Sequence, residues 1–358
     1  MEKRFMKGCE ALAEAAVRGG VRFFAGYPIT PQNEIPEYLS WRLPQVGGTF
    51  VQGESEIASI NMVYGAATTG FRAMTSSSGP GISLKTEGIS YLAAAKLPAL
   101  IVDVSRGGPG LGSIQPAQSD YLQATKALGH GGHRLIVFAP STVQEIVDIT
   151  YNVFEYAERD RNPVFILIDG CLGAMMESVE LPPMKEVDPR SQSSWTLGRW
   201  PGEKRAPHLI SPIYEAGLDG LNKSFAKRIE TWKQEDTQVE ELYLDDADYV
   251  ITAYGIAARI ARQVVEDMRE EGCKIGMIRP ITLFPFPEKS FDKLDYSRLK
   301  GIINIEMTIP AQMVEDVQRS VRGRAPIFEH GHSGGVLLDE YDIRTAILDI
   351  IGKEADHE

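Results

Sequence analysis

Three short apolar runs constrain this chain more than any other feature. "PALIVDVSR", "RLIVFAP" and "PVFILIDG" are nearly continuous blocks of branched and aromatic side chains. A strand with one wet face alternates in polarity, whereas a strand without a polar side is covered on both faces. Helical signals lie between and before these runs. "GCEALAEAAVRGG" stops at Gly19 and Gly20, "ISYLAAAKL" follows, and "STVQEIVDITYNVFEYAERD" opens on an N-cap serine or threonine and carries apolar residues at helical spacing. Buried strands alternating with helices predict a mainly parallel sheet flanked by helices.

The alternation then breaks. Residues from about Leu181 to Pro212 are rich in Pro, Ser, Arg and Trp and read as an irregular connector. "LNKSFAKRIETWKQED" reads as a charged helix and "QVEELYLDDAD" as a solvated acidic face. The strand–Gly–helix–Gly–strand pattern restarts in "DYVITAYGIAARIARQVVEDMREEGCKIGMIRPITLFPFP". The expected architecture is α/β with two domains, residues 1–185 and 245–358, joined by a connector with one helix over 186–244.

The 358 residues carry a formal net charge of −12, which argues against nucleic acid as a partner. Cys9, Cys171 and Cys273 stand singly, so no CxxC offers a cluster or thiolate zinc site. The opening "MEKRFMKGCEALAEAA" mixes charge into its apolar residues and does not read as a signal peptide. No run approaches the roughly 20 apolar residues of a membrane span. The expectation is a cytoplasmic protein without a membrane partner. "RGGPGLGS" follows a strand but puts Ser113 where a dinucleotide fingerprint needs its last glycine. The pairs His130/His133 and His330/His332 sit among glycines without a Cys or carboxylate at matching ligand spacing, so no metal is expected.

"VQGESEIASINMVYGA" raises the sharpest question, because two glutamates enter one helix. A carboxylate near a helix N-terminus is stabilised by the dipole, by roughly 0.3–1 kcal/mol, and for Glu54 this is reason enough. Glu56, however, shares a helical face with Ile60, Val63 and Ala67. An inward carboxylate needs a partner or a proton.

Nine positions after Glu56 comes Gly65, then "AATTGFRAMTSSSGPG", read as a short strand Arg72–Ser76 ending in a Gly-Pro-Gly turn. This arrangement resembles the pyrimidine-binding domain of thiamine-diphosphate enzymes. "YPITP" within "AGYPITPQNEIPEYL", and "DVSRGGPGLGSIQPAQSDYLQA", resemble the turn and substrate-side loop of 2-oxoacid:ferredoxin oxidoreductases. The second half is similar to the transketolase C-terminal-like domain of the same subunit. The resemblance spans nearly the whole length and is nearest to the 2-oxoisovalerate and 2-oxoglutarate types.

The resemblance implies roles that the residues alone do not. Glu56 is implied to hydrogen-bond the aminopyrimidine ring of thiamine diphosphate, Thr30 to meet the substrate carbonyl, and Arg106 to clamp the substrate carboxylate. Ser77, Ser78 and Gly79 are implied to line the cofactor side. No GDG with a following asparagine pair is present, so Mg²⁺ and the diphosphate, together with an iron–sulfur cluster, are assigned to partner subunits. Small gamma-type and ferredoxin-like subunits, ferredoxin, coenzyme A and a 2-oxo acid complete the implied set. A non-oxidative thiamine enzyme of transketolase or decarboxylase type, or a non-catalytic scaffold of the same fold, remains the alternative.

Overall fold

The computed structural model describes residues 2–192, 194–197, 210 and 213–355. Much of the expected irregular connector lies outside them. The predicted runs form the centre of the first sheet. Its strands lie in the order Thr282–Phe284, Ile136–Phe138, Val164–Asp169, Leu100–Gly107, Ala73–Ser77, Phe23–Gly26 and Thr49–Gln52. Every pairing along Ile136–Phe138 to Thr49–Gln52 is parallel, and Leu100–Gly107 is buried throughout its length. Helices cover the faces. Gly8–Arg18 is alanine-rich and almost wholly buried, and Val143–Asp160 is capped by Thr142, whose side chain accepts from Glu145 N.

The chain runs from the strand Phe23–Gly26 outward to Thr49–Gln52, then back across to Ala73–Ser77 and Leu100–Gly107. The reversal makes a topological switch point. Open α/β sheets bind ligands beyond the carboxyl ends of strands at such a point.

A second sheet runs Val239–Leu242, Ile275–Pro280, Tyr249–Thr252, Gly301–Glu306, Ile327–Gly331, parallel except at its first strand. Its helix Gly255–Glu270 buries Ile256, Ala261, Val264 and Met268. The acidic stretch read as a solvated face therefore contains a strand, Val239–Leu242, half-buried against Ile275–Pro280. Conversely, Thr282–Phe284 leaves the second unit and pairs antiparallel with Ile136–Phe138 of the first sheet.

Gln118 ties the two units together. It is 1 % exposed; its Nε2 donates to Tyr254 O at 2.8 Å, and its Oε1 accepts from Met307 N at 3.0 Å. Nearby, Tyr121 donates to Asp316 at 2.5 Å, and Arg279 pairs with Glu145 at 2.6 Å. Gln118→Ala leaves the buried Met307 N–H without its partner, costing about 1–3 kcal/mol, while Tyr254 O keeps the Ala258 N–H at 3.2 Å. The variant is expected to lose about 1–3 kcal/mol of stability in urea unfolding. A loss below about 0.5 kcal/mol would show that water replaces the lost bond.

Candidate active site

The site residues sit beyond four adjacent strand ends. Thr30 follows Phe23–Gly26, Glu56 follows Thr49–Gln52, Ser77 and Ser78 end Ala73–Ser77, and Arg106 lies near the end of Leu100–Gly107. Strand order, rather than sequence proximity, gathers them.

The two glutamates separate cleanly. The helix begins at Glu56, with Ser55 as N-cap accepting from Ala58 N at 3.1 Å, so Glu54 lies outside it and is exposed. Glu56 is 7 % exposed, and among the described residues its carboxylate makes no hydrogen bond or ion pair. The Gly-Pro-Gly stretch is not a free turn. The strand is Ala73–Ser77, and Gly79 opens a helix, Gly79–Ala94, with Pro80 in its first turn, where a missing N–H costs nothing. A Cβ on Gly81 would lie 2.1 Å from Ser77 Oγ and 2.8 Å from Glu56 Oε1. Only glycine leaves room for both groups there. Among the described residues the buried hydroxyls of Ser77 and Ser78 have no hydrogen-bond partner.

Arg106 reaches across to the "YPITP" turn. Its Nη1 donates to Thr30 O at 2.9 Å and its Nη2 to Leu111 O at 2.8 Å, while Nε is buried without a partner among the described residues. Each terminal nitrogen keeps a second N–H. The Thr30 side chain is exposed and accepts from Asn33 Nδ2 at 3.4 Å. Fully buried Gln32 fixes this turn: Ser76 donates to its Oε1 at 2.5 Å, and its Nε2 donates to Tyr27 O at 3.3 Å.

A cleft of about 550 Å³ opens beside Arg106. Gly79, Pro80, Asp120 and the loop Gly107–Gly110 form one wall; Thr308–Pro310, Gln312 and Ser333 of the second unit form the other. Glu56 is not among its lining residues. It stands on the other side of Gly79–Gly81: a Cβ on Gly81 would meet Glu56, whereas one on Gly79 would meet Asp120 and Arg106.

Three buried ionisable groups escaped the sequence reading. Asp103 accepts from Gly79 N at 3.2 Å and neighbours Asp120, which accepts from Ser105 Oγ at 2.7 Å. Burial and the facing Asp120 carboxyl push Asp103 well above the carboxylate range; burial raises Asp120 too, against the Ser105 hydroxyl and the Arg106 charge. Such a pair holds one proton. The signal was an acid inside the apolar run "LIVDVS". Lys85, one helical turn beyond Gly81, is fully buried, and its Nζ donates to Thr75 Oγ1 at 2.9 Å. Burial lowers its pKa to about 8, opposed by the Glu56 charge. The histidine pairs also differ. His133 is buried with Nε2 on Leu128 O at 2.8 Å, whereas His330 and His332 meet at Asp342, a carboxylate that local spacing did not supply.

Residues 14–242 match the family described as pyruvate flavodoxin/ferredoxin oxidoreductase, thiamine diP-bdg, and residues 247–343 match pyruvate:ferredoxin oxidoreductase core domain II. The chain belongs to the 2-oxoacid:ferredoxin oxidoreductase family. It is 43 % identical to the ketoisovalerate oxidoreductase subunit VorB of Methanothermobacter thermautotrophicus, over 99 % of this chain and all of that one. It is 34 % identical to the 2-oxoglutarate synthase subunit KorA of Methanocaldococcus jannaschii, over 97 % of this chain and all of that one. Among solved structures, the 2-oxoglutarate:ferredoxin oxidoreductase of Magnetococcus marinus superposes with TM-score 0.83 at 25 % identity; the match covers 97 % of this chain and 65 % of that one. A split-gene transketolase shares the fold at TM-score 0.58 and 13 % identity. Family members of this kind are subunits of thiamine-diphosphate-dependent oxidoreductases, and the comparisons give the non-oxidative alternative no support. Among the described residues no helix is long and apolar enough to cross a membrane.

Lys85 yields a pH test. Below about pH 8 the ammonium is charged in both folded and unfolded chains, and the fold bears its desolvation. Between about 8 and the unfolded value of 10.5 the native state has released a proton that the unfolded chain still holds, so stability rises with pH. Relative to Lys85→Met, the wild-type chain is expected to gain up to about 3 kcal/mol between pH 7 and 10.5 in denaturant titrations. A difference independent of pH would mean that Lys85 titrates normally.

Proposed function

We infer that this chain supplies the pyrimidine-binding half of the active site of a CoA-acylating 2-oxoacid:ferredoxin oxidoreductase. The division into 1–185, 186–244 and 245–358 belongs to the same reading. The observation that carries it is the Glu56 carboxyl, nearly buried and without a hydrogen-bond partner among the described residues, beside two buried serine hydroxyls that also lack one among them. Those groups fit a polar ring that donates and accepts hydrogen bonds. Thiamine diphosphate supplies, when bound, the electron sink that decarboxylation of a 2-oxo acid requires.

Glu56 holds a proton at a nitrogen of the aminopyrimidine, a task suited to a poorly hydrated carboxyl. Ser77, Ser78 and Gly79 line the same side. Arg106 takes the substrate carboxylate on the N–H groups it does not spend on Thr30 and Leu111, and the exposed Thr30 hydroxyl donates to the substrate carbonyl. A partner subunit brings the diphosphate–Mg²⁺ domain and the iron–sulfur cluster. Small gamma-type and ferredoxin-like subunits, ferredoxin and coenzyme A complete the reaction in the cytoplasm.

The cleft also bears on the substrate. Arg106 is the single basic residue among its described lining residues, with Pro80, Pro109, Ile309 and Pro310 lining the same cleft and an acid, Asp120, on the same wall. One cation and an apolar rim suit a 2-oxo acid with one carboxylate and a branched aliphatic tail, such as 2-oxoisovalerate. 2-Oxoglutarate needs a second cation for its distal carboxylate.

Two measurements on the complex purified with its partner subunits test these statements. Glu56→Gln is expected to lower dye reduction with coenzyme A about 100-fold or more while leaving assembly intact. Near-normal turnover in that variant rejects the assignment. In a panel of 2-oxo acids, kcat/KM for 2-oxoisovalerate is expected to exceed that for 2-oxoglutarate by about tenfold or more, the value of one missing ion-pair contact. The reverse order assigns the chain to the 2-oxoglutarate type.

A further inference from the structure

His330 and His332 lie two residues apart in extended backbone at the end of the edge strand Ile327–Gly331, a spacing that puts both side chains on one side. Asp342 comes from a different element, the first turn of the helix Glu340–Ala355, where Asp339 Oδ1 accepts its N–H at 2.8 Å. The fold brings these elements together so that one carboxylate oxygen, Asp342 Oδ2, lies 3.0 Å from Nε2 of both imidazoles. All three donor atoms fall within 4.8 Å of one another. Ligands bonded at about 2.0–2.1 Å to a tetrahedral Zn²⁺ stand roughly 3.3 Å apart, so the cluster needs only a small expansion to accept an ion. The side chains are 20 %, 35 % and 28 % exposed, which leaves a position open to water.

We propose that His330, His332 and Asp342 form a site for a divalent transition-metal ion of the zinc type. Two imidazoles with one carboxylate favour Zn²⁺, Co²⁺ or Ni²⁺ over the oxygen-seeking Mg²⁺ and Ca²⁺. The role is structural. The ligands flank the segment from Ser333 to Asp339. That segment delivers Ser333 to the cleft wall and packs Gly335 against Gln115; a Cβ on Gly107 would stand 3.7 Å from Gly334 Cα. An ion there staples both ends of a glycine-bearing loop and fixes one wall of the cleft. The site is independent of the Glu56 reading and stands or falls separately.

The test uses the chain of 358 residues. The metal-stripped protein is titrated with Co²⁺ and read by visible absorption, then with Zn²⁺ by calorimetry, alongside His332→Ala and Asp342→Asn. The expected result is one ion per chain with the intense visible bands of four-coordinate Co²⁺, displaced by Zn²⁺, and a Kd raised about tenfold or more in each variant. Zn²⁺ should also raise the Tm of the wild-type chain and not that of the variants. Binding of equal strength in all three proteins, or none that saturates at micromolar metal, overturns the proposal and leaves Asp342 as a hydrogen-bond partner of two imidazoles.

Discussion

Two glycines let the helix Glu56–Ala67 press onto the helix Gly79–Ala94. A methyl on Gly81 would crowd the Glu56 carboxylate, and one on Gly88 would lie 2.5 Å from Ile60 Cγ2. Seven residues apart, they share a helix face two turns long. The close approach sets the geometry of everything around it. It leans Glu56 over the end of the strand Ala73–Ser77, beside the Ser77 hydroxyl, and leaves Lys85 beneath, donating to the Thr75 hydroxyl. The same glycine-rich corner opens the helix Gly79–Ala94 so early that its first N–H, that of Gly79, donates to Asp103.

That corner concentrates polar groups the fold would be more stable without. Lys85, Asp103 and Asp120 are buried ionisable side chains, and Ser77, Ser78 and Arg106 each bury a polar atom without a partner among the described residues. A stretch optimised for stability would fill these positions with apolar side chains. Buried charges elsewhere, such as Glu14 and Glu306, are met by arginines or backbone N–H groups, so the accumulation beside these strand ends is the pattern expected where stability is given up for chemistry.

The parts of the fold that were legible in sequence are those whose signal is local. Leu100–Gly107, Ile136–Phe138 and Val164–Asp169 announce themselves as apolar runs, and Thr142 opens its helix as a capping residue should. The strands Glu2–Lys7, Thr49–Gln52, Val239–Leu242 and Thr282–Phe284 did not show, because each is short or polar and owes its conformation to the neighbour it pairs with. The Gly-Pro-Gly stretch misled for a related reason: glycine and proline punctuate turns and also begin helices. In the site, helical phase alone distinguished Glu56 from Glu54. Lys85 stayed hidden because a lysine within a helix reads as a surface residue until the strand packed below it is known. Asp342 could not be paired with His330 and His332 before the last helix was placed.

The strand Thr282–Phe284 has a consequence for how the protein comes to be made. It belongs to the second unit, yet it closes the outer margin of the first sheet against Ile136–Phe138. Until the ribosome has delivered it, the earlier part of the chain presents a bare, aliphatic strand with open amide and carbonyl groups, the kind of surface on which nascent proteins adhere to one another. The first unit is thus unfinished at the moment its own residues are all synthesised, and its open sheet edge is covered by sequence that arrives later.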